Sequence, residues 1–199
     1  MTLPPEYFEE MYDASTDPWG FASRWYETRK RALVMAMLPE QHYGSVFEPG
    51  CSTGLLTREL ARRCDHLVAI DVSTAAVATA RTSCSGYPHV TIERAGLPDF
   101  RPAGPVDLLV VSEVLYYLDR PTAKAVATKA FTSANTVVAT HWRHPVDDYP
   151  LTGDDVHGIL DDAARRGGHR LLGGYRDADF VAAVWSRDSR SVAQREGLT

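Results

Sequence analysis

Two stretches of this sequence hold residue types at spacings that could do chemistry. In the first, Glu48-Pro49-Gly50-Cys51-Ser52-Thr53-Gly54, the glycines allow positive φ and let a ligand lie against bare backbone. Glu48 stands just ahead of them, where a dinucleotide pyrophosphate would be repelled and the cationic groups of S-adenosylmethionine would be welcome. Asp71 ends the apolar run Leu67-Val68-Ala69-Ile70 about 20 residues beyond the turn, the place from which an acid meets ribose hydroxyls. The second stretch, His141-Trp142-Arg143-His144-Pro145-Val146-Asp147-Asp148-Tyr149, is denser in acid–base groups than any other.

Both stretches need a scaffold. Val46 and Phe47 are strand formers and Leu55, Leu56, Leu60 and Ala61 begin a helical spacing, so the glycine turn joins a strand to a helix. Further strands are expected at 66–71, 89–93, 106–112 and 135–140, with helices at 73–84, 121–132 and 153–166 between and after them. That alternation implies a parallel, doubly wound α/β sheet, whose ligands sit outside the carboxyl ends of the strands. The run Val106 to Ser112 is apolar enough to be buried on both faces, and its carboxyl end delivers Ser112, Glu113 and Tyr116 to that side. Short helices are expected at 5–13 and 22–38, broken by Asp17-Pro18-Trp19-Gly20.

Four motifs in order carry a resemblance: Asp17-Pro18-Trp19, Glu48-x-Gly50-Cys51-x-x-Gly54-x-x-Thr57, Ile70-Asp71-Val72, and Ser112-Glu113-Val114-Leu115-Tyr116-Tyr117-Leu118. Over roughly residues 10–140 the chain resembles the class I S-adenosylmethionine-dependent methyltransferases and, more narrowly, the NodS-type small-molecule N-methyltransferases. The resemblance implies a Rossmann-like sheet of about seven strands, mostly parallel, with segments 169–176 and 179–186 as an antiparallel edge. It also implies an N-terminal helical lid over the cofactor. One domain then spans residues 1–188, with the lid in 1–38, the cofactor-binding core in 44–188 and a flexible tail at 189–199. S-adenosyl-L-methionine would be held by Trp19, Glu48, Gly50, Cys51, Gly54, Asp71, Val72 and Ser112. In the loop from Arg94 to Phe100, Gly96 stands about where the family puts an acid for the adenine amino group. Adenine is left to Gly96, Leu97 and neighbouring backbone, or to Asp99.

Methyl transfer from a sulfonium is an in-line displacement, so the protein mainly binds, orients and desolvates. An amine attacks once neutral, whereas an alcohol needs a base. His141 and His144 depart from the NodS-type pattern and point toward oxygen: either serves as base, with Glu113 or Asp147 as an orienting or hydroxyl-binding carboxylate. Tyr116, Trp142, Arg143 and Tyr149 are expected around the acceptor, a mixture of aromatic faces and polar groups that suits a sugar or glycoside. The same run could hold a divalent metal such as Mg2+ through a histidine with Asp147, Asp148 or Glu113. O-methylation of a carbohydrate hydroxyl is therefore the first expectation, and N-methylation of an amine or amino sugar the alternative.

The chain has 199 residues, 44% of them hydrophobic, enough for one soluble domain with a full core. A net charge of −5 without any basic block gives no footprint for nucleic acid, so a small-molecule partner is expected. No leader pattern or membrane-length apolar run is present, which sets the expectation of a cytoplasmic protein. Cys51, Cys64 and Cys84 are odd in number, lack metal-type spacing and fall in expected turns or helices, so no disulfide framework is expected. A homodimer is left open.

Overall fold

The structure is a computed structural model that describes residues 1–99 and 102–199; Phe100, at the end of the expected adenine loop, lies outside them. Strands β1 (Tyr43–Pro49), β2 (Cys64–Asp71), β3 (Val90–Arg94), β4 (Val106–Ser112), β5 (Ala134–Trp142), β6 (Arg170–Arg176) and β7 (Phe180–Ser186) form one sheet in the order β3-β2-β1-β4-β5-β7-β6. The first five run parallel to one another, and β7 runs antiparallel to both β5 and β6. The order reverses between β1 and β4, and a crevice opens there at the strands' carboxyl ends.

Helices cover both faces because the central strands are apolar on both. One core packs Phe131, Leu115, Leu160 and Trp185 against β4 and β5; the other packs Val34, Leu60, Leu67 and Val77 against β1 and β2. The helices are α3 (Leu55–Ala61), α4 (Thr74–Ser83), α5 (Arg120–Ser133) and α6 (Gly153–Arg166). The last three start where their sequences supply caps: Ser73 accepts from Ala76 N, Asp119 from Thr122 N, and Thr152 forms a capping box with Asp155.

The expected lid is α1 (Pro5–Ala14) and α2 (Trp25–Met37). Asp17 turns the chain between them by accepting from Phe21 N at 2.7 Å and Ala22 N at 3.0 Å, and Trp19 lies edge-on to Tyr12, 5.6 Å between centroids. Glu9 clasps α1 to the core, bonding Ser73 Oγ, Thr74 N and Thr74 Oγ1 at 2.9–3.1 Å and pairing with Arg94 at 3.2 Å. In its N-terminal half α2 is tied to the β6–β7 hairpin by Arg29, which bonds Asp177 at 3.1 Å and also the Tyr175 hydroxyl.

Three expectations shift. Cys64 begins a strand rather than ending a helix, buried beside Tyr43. β5 runs through His141 and Trp142, because β7 offers Val181 and Phe180 as pairing partners. The tail expected to be flexible carries a short helix, α7 (Val192–Arg195), and Arg195 folds back on Glu40 and Asp188 with its side chain 8% exposed. No helix among the described residues is long and apolar enough to cross a membrane.

Candidate functional site

The crevice is a cavity of about 910 Å³ between the lid and the carboxyl ends of β1, β2, β4 and β5. That is near the upper end of the ~300–1,000 Å³ typical of small-molecule sites, so it has room for more than one ligand.

At one end is the glycine turn. Gly50 has φ of +73°, and a Cβ there would lie 3.0 Å from Val114 Cγ2, so a side chain at this position would be strained and would crowd Val114. Ser52 has φ of +51°; it and Glu113, at +55°, are the two non-glycine residues with positive φ among the described residues, and both line the cavity. Such conformations cost about 1–3 kcal/mol each and persist where the surroundings hold them. Ser52 is held by Asp71 Oδ2, which accepts from its N–H at 2.9 Å, and by Tyr12, whose hydroxyl meets Ser52 Oγ. Asp71 Oδ1 accepts from Ser73 N at 3.0 Å. Burial raises the Asp71 carboxyl against the lowering effect of these backbone N–H groups.

Glu48 ends β1 2% exposed, and its Oε2 has no hydrogen-bond partner among the described residues. Burial pushes it up to about 8, the Thr57 hydroxyl opposing and the Asp71 charge adding. An unpaired carboxylate oxygen in the wall of a cavity is where a cationic ligand group gains most.

At the other end the lid meets the sheet through an ion cluster that the sequence reading did not foresee. Lys30 Nζ on α2 bonds Glu113 Oε1 at 2.7 Å and Glu27 Oε1 at 3.1 Å. The other Glu113 oxygen accepts from the Tyr116 hydroxyl at 2.5 Å and Trp142 N at 2.8 Å. Tyr116 stacks on Tyr149 at 4.9 Å, and Tyr26 lies under Lys30 and edge-on to Trp142. All of these side chains line the cavity.

Of the residues expected to hold the cofactor, Trp19, Glu48, Gly50, Cys51, Asp71, Val72, Gly96, Leu97 and Ser112 line this cavity. Gly54 does not; with φ of +79° it starts α3 and packs on Ala80, so its lack of a side chain serves helix packing. Around the acceptor end Glu113, Tyr116, Trp142 and Tyr149 come together, but Arg143 turns away to Asp154 at 3.0 Å.

The two histidines expected as base stand outside the cavity wall. His141, fully buried, points to the opposite side of β5 from Trp142. Its Nε2 accepts from Leu115 N at 3.4 Å and its Nδ1 faces His157 Nε2 at 3.3 Å. Burial lowers it to about 3, with the Lys30 charge adding, and it does not reach the cavity. His144 is about half exposed, pairs with Asp179 at 2.9 Å and also lies outside the cavity wall. Asp147 and Asp148 are exposed, and no group of three or more His, Cys, Asp or Glu suited to a metal ion exists among the described residues.

This sheet order, with its crevice beside the glycine turn, is the Rossmann-like fold of class I S-adenosylmethionine-dependent methyltransferases. The family described as Nodulation protein S (NodS) matches residues 8–143, and the chain belongs to that family. Nodulation protein S of Rhizobium tropici is 31% identical over 106 residues, which are 53% of this chain and 44% of that protein. The chain spans about half the length of the curated relatives it matches first. Among solved structures, N-methyltransferase NodS of Bradyrhizobium japonicum WM9, in complex with S-adenosyl-L-homocysteine, superposes with a TM-score of 0.80 at 21% identity, covering 92% of this chain and 98% of that one. A Pseudomonas syringae protein provisionally assigned as a methyltransferase is 41% identical with a TM-score of 0.71, covering 82% of this chain and all of that one.

Proposed function

We propose that this chain is an S-adenosylmethionine-dependent methyltransferase acting on the nitrogen of a small polar amine. The observation that carries the cofactor assignment is the buried Glu48 carboxyl with an unpaired oxygen beside a turn whose positive φ and close approach to Val114 favour glycine at position 50. Glu48 would face the cationic methionine end, Asp71 the ribose, and Val72 with the Ala95–Leu97 backbone the adenine; Ser112 and Cys51 fill the wall between them. Trp19 and Tyr12 would cover the ligand and keep water out. When bound, S-adenosylmethionine supplies an electrophilic methyl carbon.

Nitrogen is favoured over oxygen because neither His141 nor His144 lines the cavity and Glu113 is engaged by three donors, which leaves a hydroxyl acceptor without a histidine base. Likeness to an N-methyltransferase agrees. The stacked Tyr116 and Tyr149 with Trp142 suit a ring-shaped acceptor, which keeps an amino sugar in view.

The test is an acceptor screen with methyl-labelled S-adenosylmethionine over amino sugars, plain sugars and simple amines, with product methyl shifts read by NMR and cofactor affinity by calorimetry. Label on nitrogen is expected; label on oxygen, or failure to bind the cofactor, overturns the reading.

A further inference from the structure

The ion cluster at the acceptor end does not balance its charge. Lys30 Nζ is shared by two carboxylates, Glu27 and Glu113, and none of the three side chains is more than 11% exposed. Glu113 is otherwise committed to Tyr116 and the Trp142 N–H. Glu27 is not: among the described residues the one hydrogen bond to its carboxylate is that from Lys30.

Formally the cluster has one negative charge too many, and a buried excess charge is costly until a cation joins it. The imbalance extends along the cavity, where six carboxylates and three basic side chains line the wall among the described residues. Of the basic groups, Lys30 is already outnumbered, Arg31 donates to Phe21 O at 2.8 Å, and Arg24 is exposed to water. An anionic acceptor would meet net repulsion here. The cluster also adjoins the glycine turn, since Val114, the residue after Glu113, closes on Gly50.

We propose that Glu27 is a catalytic residue that binds the acceptor nitrogen as an ammonium ion and takes its proton before methyl transfer. This rests on the methyltransferase reading above. One N–H bond of the ammonium breaks and its proton passes to a Glu27 oxygen. The freed nitrogen lone pair bonds to the methyl carbon as the carbon–sulfur pair returns to sulfur, leaving a thioether. The methylated nitrogen leaves as an ammonium, and Glu27 releases its proton to water. Burial favours the role because it raises the Glu27 carboxyl, the Lys30 charge only partly opposing. The acceptor class is thereby narrowed to aliphatic amines that are cationic at neutral pH. Aromatic amines and alcohols bring no charge to the cluster.

Matched pairs test this: glucosamine with glucose, benzylamine with benzyl alcohol and with aniline, each assayed with methyl-labelled S-adenosylmethionine. The wild-type protein should prefer the aliphatic amine in each pair. Glu27→Gln, whose amide oxygen can still accept from Lys30, should lower kcat/KM for aliphatic amines by about tenfold to a hundredfold. Its S-adenosylhomocysteine affinity should stay unchanged, and Glu27→Asp should recover part of the loss. An aliphatic-amine preference untouched by Glu27→Gln overturns the role of Glu27 but leaves the methyltransferase reading standing. Preference for aniline or for the alcohols, or no transfer to any amine by protein that binds the cofactor, overturns the ammonium site. Failure to bind S-adenosylmethionine sinks the reading beneath it.

Discussion

Replacing Lys30 with Met keeps most of the apolar stem and removes the charge between two carboxylates. The Lys30, Glu27 and Glu113 side chains are 5%, 8% and 11% exposed, so water cannot screen the two acids left behind. Breaking a buried ion pair by removing one partner typically costs about 3–5 kcal/mol, against ~0–1 for a surface pair. For a domain of this size each kcal/mol moves the melting temperature by about 2–4 °C, so Lys30→Met should melt about 6–20 °C lower. Urea denaturation followed by tryptophan fluorescence, at several pH values, is the assay. The pH dependence has a definite sign. In the variant the Glu27 carboxyl, already raised by burial, loses the opposing Lys30 charge and binds its proton more tightly in the native than in the unfolded state, so the variant's stability should fall as pH rises and approach that of the wild type in acid. A deficit below ~1 kcal/mol at pH 7, or one that does not change with pH, would refute the claim that this cluster is buried and coupled.

Asp71→Ala removes the acceptor of the Ser52 and Ser73 N–H groups and should weaken S-adenosylmethionine binding by about 1.5–3 kcal/mol, measured by calorimetry; unchanged affinity would remove Asp71 from the ribose site. His141 and His157 are each held near 3 by burial, below the value of about 6.5 they take when unfolded, so the unfolded chain binds more protons and stability should decline as pH falls from about 6.5 toward 3. His157→Phe should flatten that decline in urea titrations at graded pH, and a slope like the wild type's would disprove the assignment. His144→Ala should change kcat by less than about threefold, because its side chain is about half exposed and stands outside the cavity wall. A large loss of kcat would return this histidine to the chemistry.

The sheet was legible because its strands are short apolar runs, several of them closed by glycine turns or acids, and because α4 and α5, which join β2 to β3 and β4 to β5, carry their own side-chain caps. The cofactor end was legible for a related reason: Glu48, Gly50 and Asp71 lie at the ends of adjacent strands, so local spacing fixes their meeting. The acceptor end depends on contacts distant in sequence. Lys30 and Glu113 are 83 positions apart, and nothing local joins them. One sign was available, since Glu27, Lys30, Val34 and Leu38 recur at helical spacing, and a helix that presents acid and base on its buried stripe must neutralise them there. The placement of the histidines also depends on a contact distant in sequence. Whether β5 stopped at Thr140 or continued to Trp142 was decided by β7, and two more strand residues put His141 on the face toward α6.

The boundary between the neighbouring strands β1 and β4 also divides the molecule's capacity for change. The wall near Glu48, Asp71 and Gly96 comes from one continuous block of sequence, whereas the wall near Lys30, Glu113, Tyr149 and Asp179 is gathered from four distant segments. On the proposed function, a substitution in α2 or in the loop after β5 would reshape the acceptor's wall without disturbing the donor's. In a fold built this way the donor is inherited as a unit, and the recipient can be revised piece by piece.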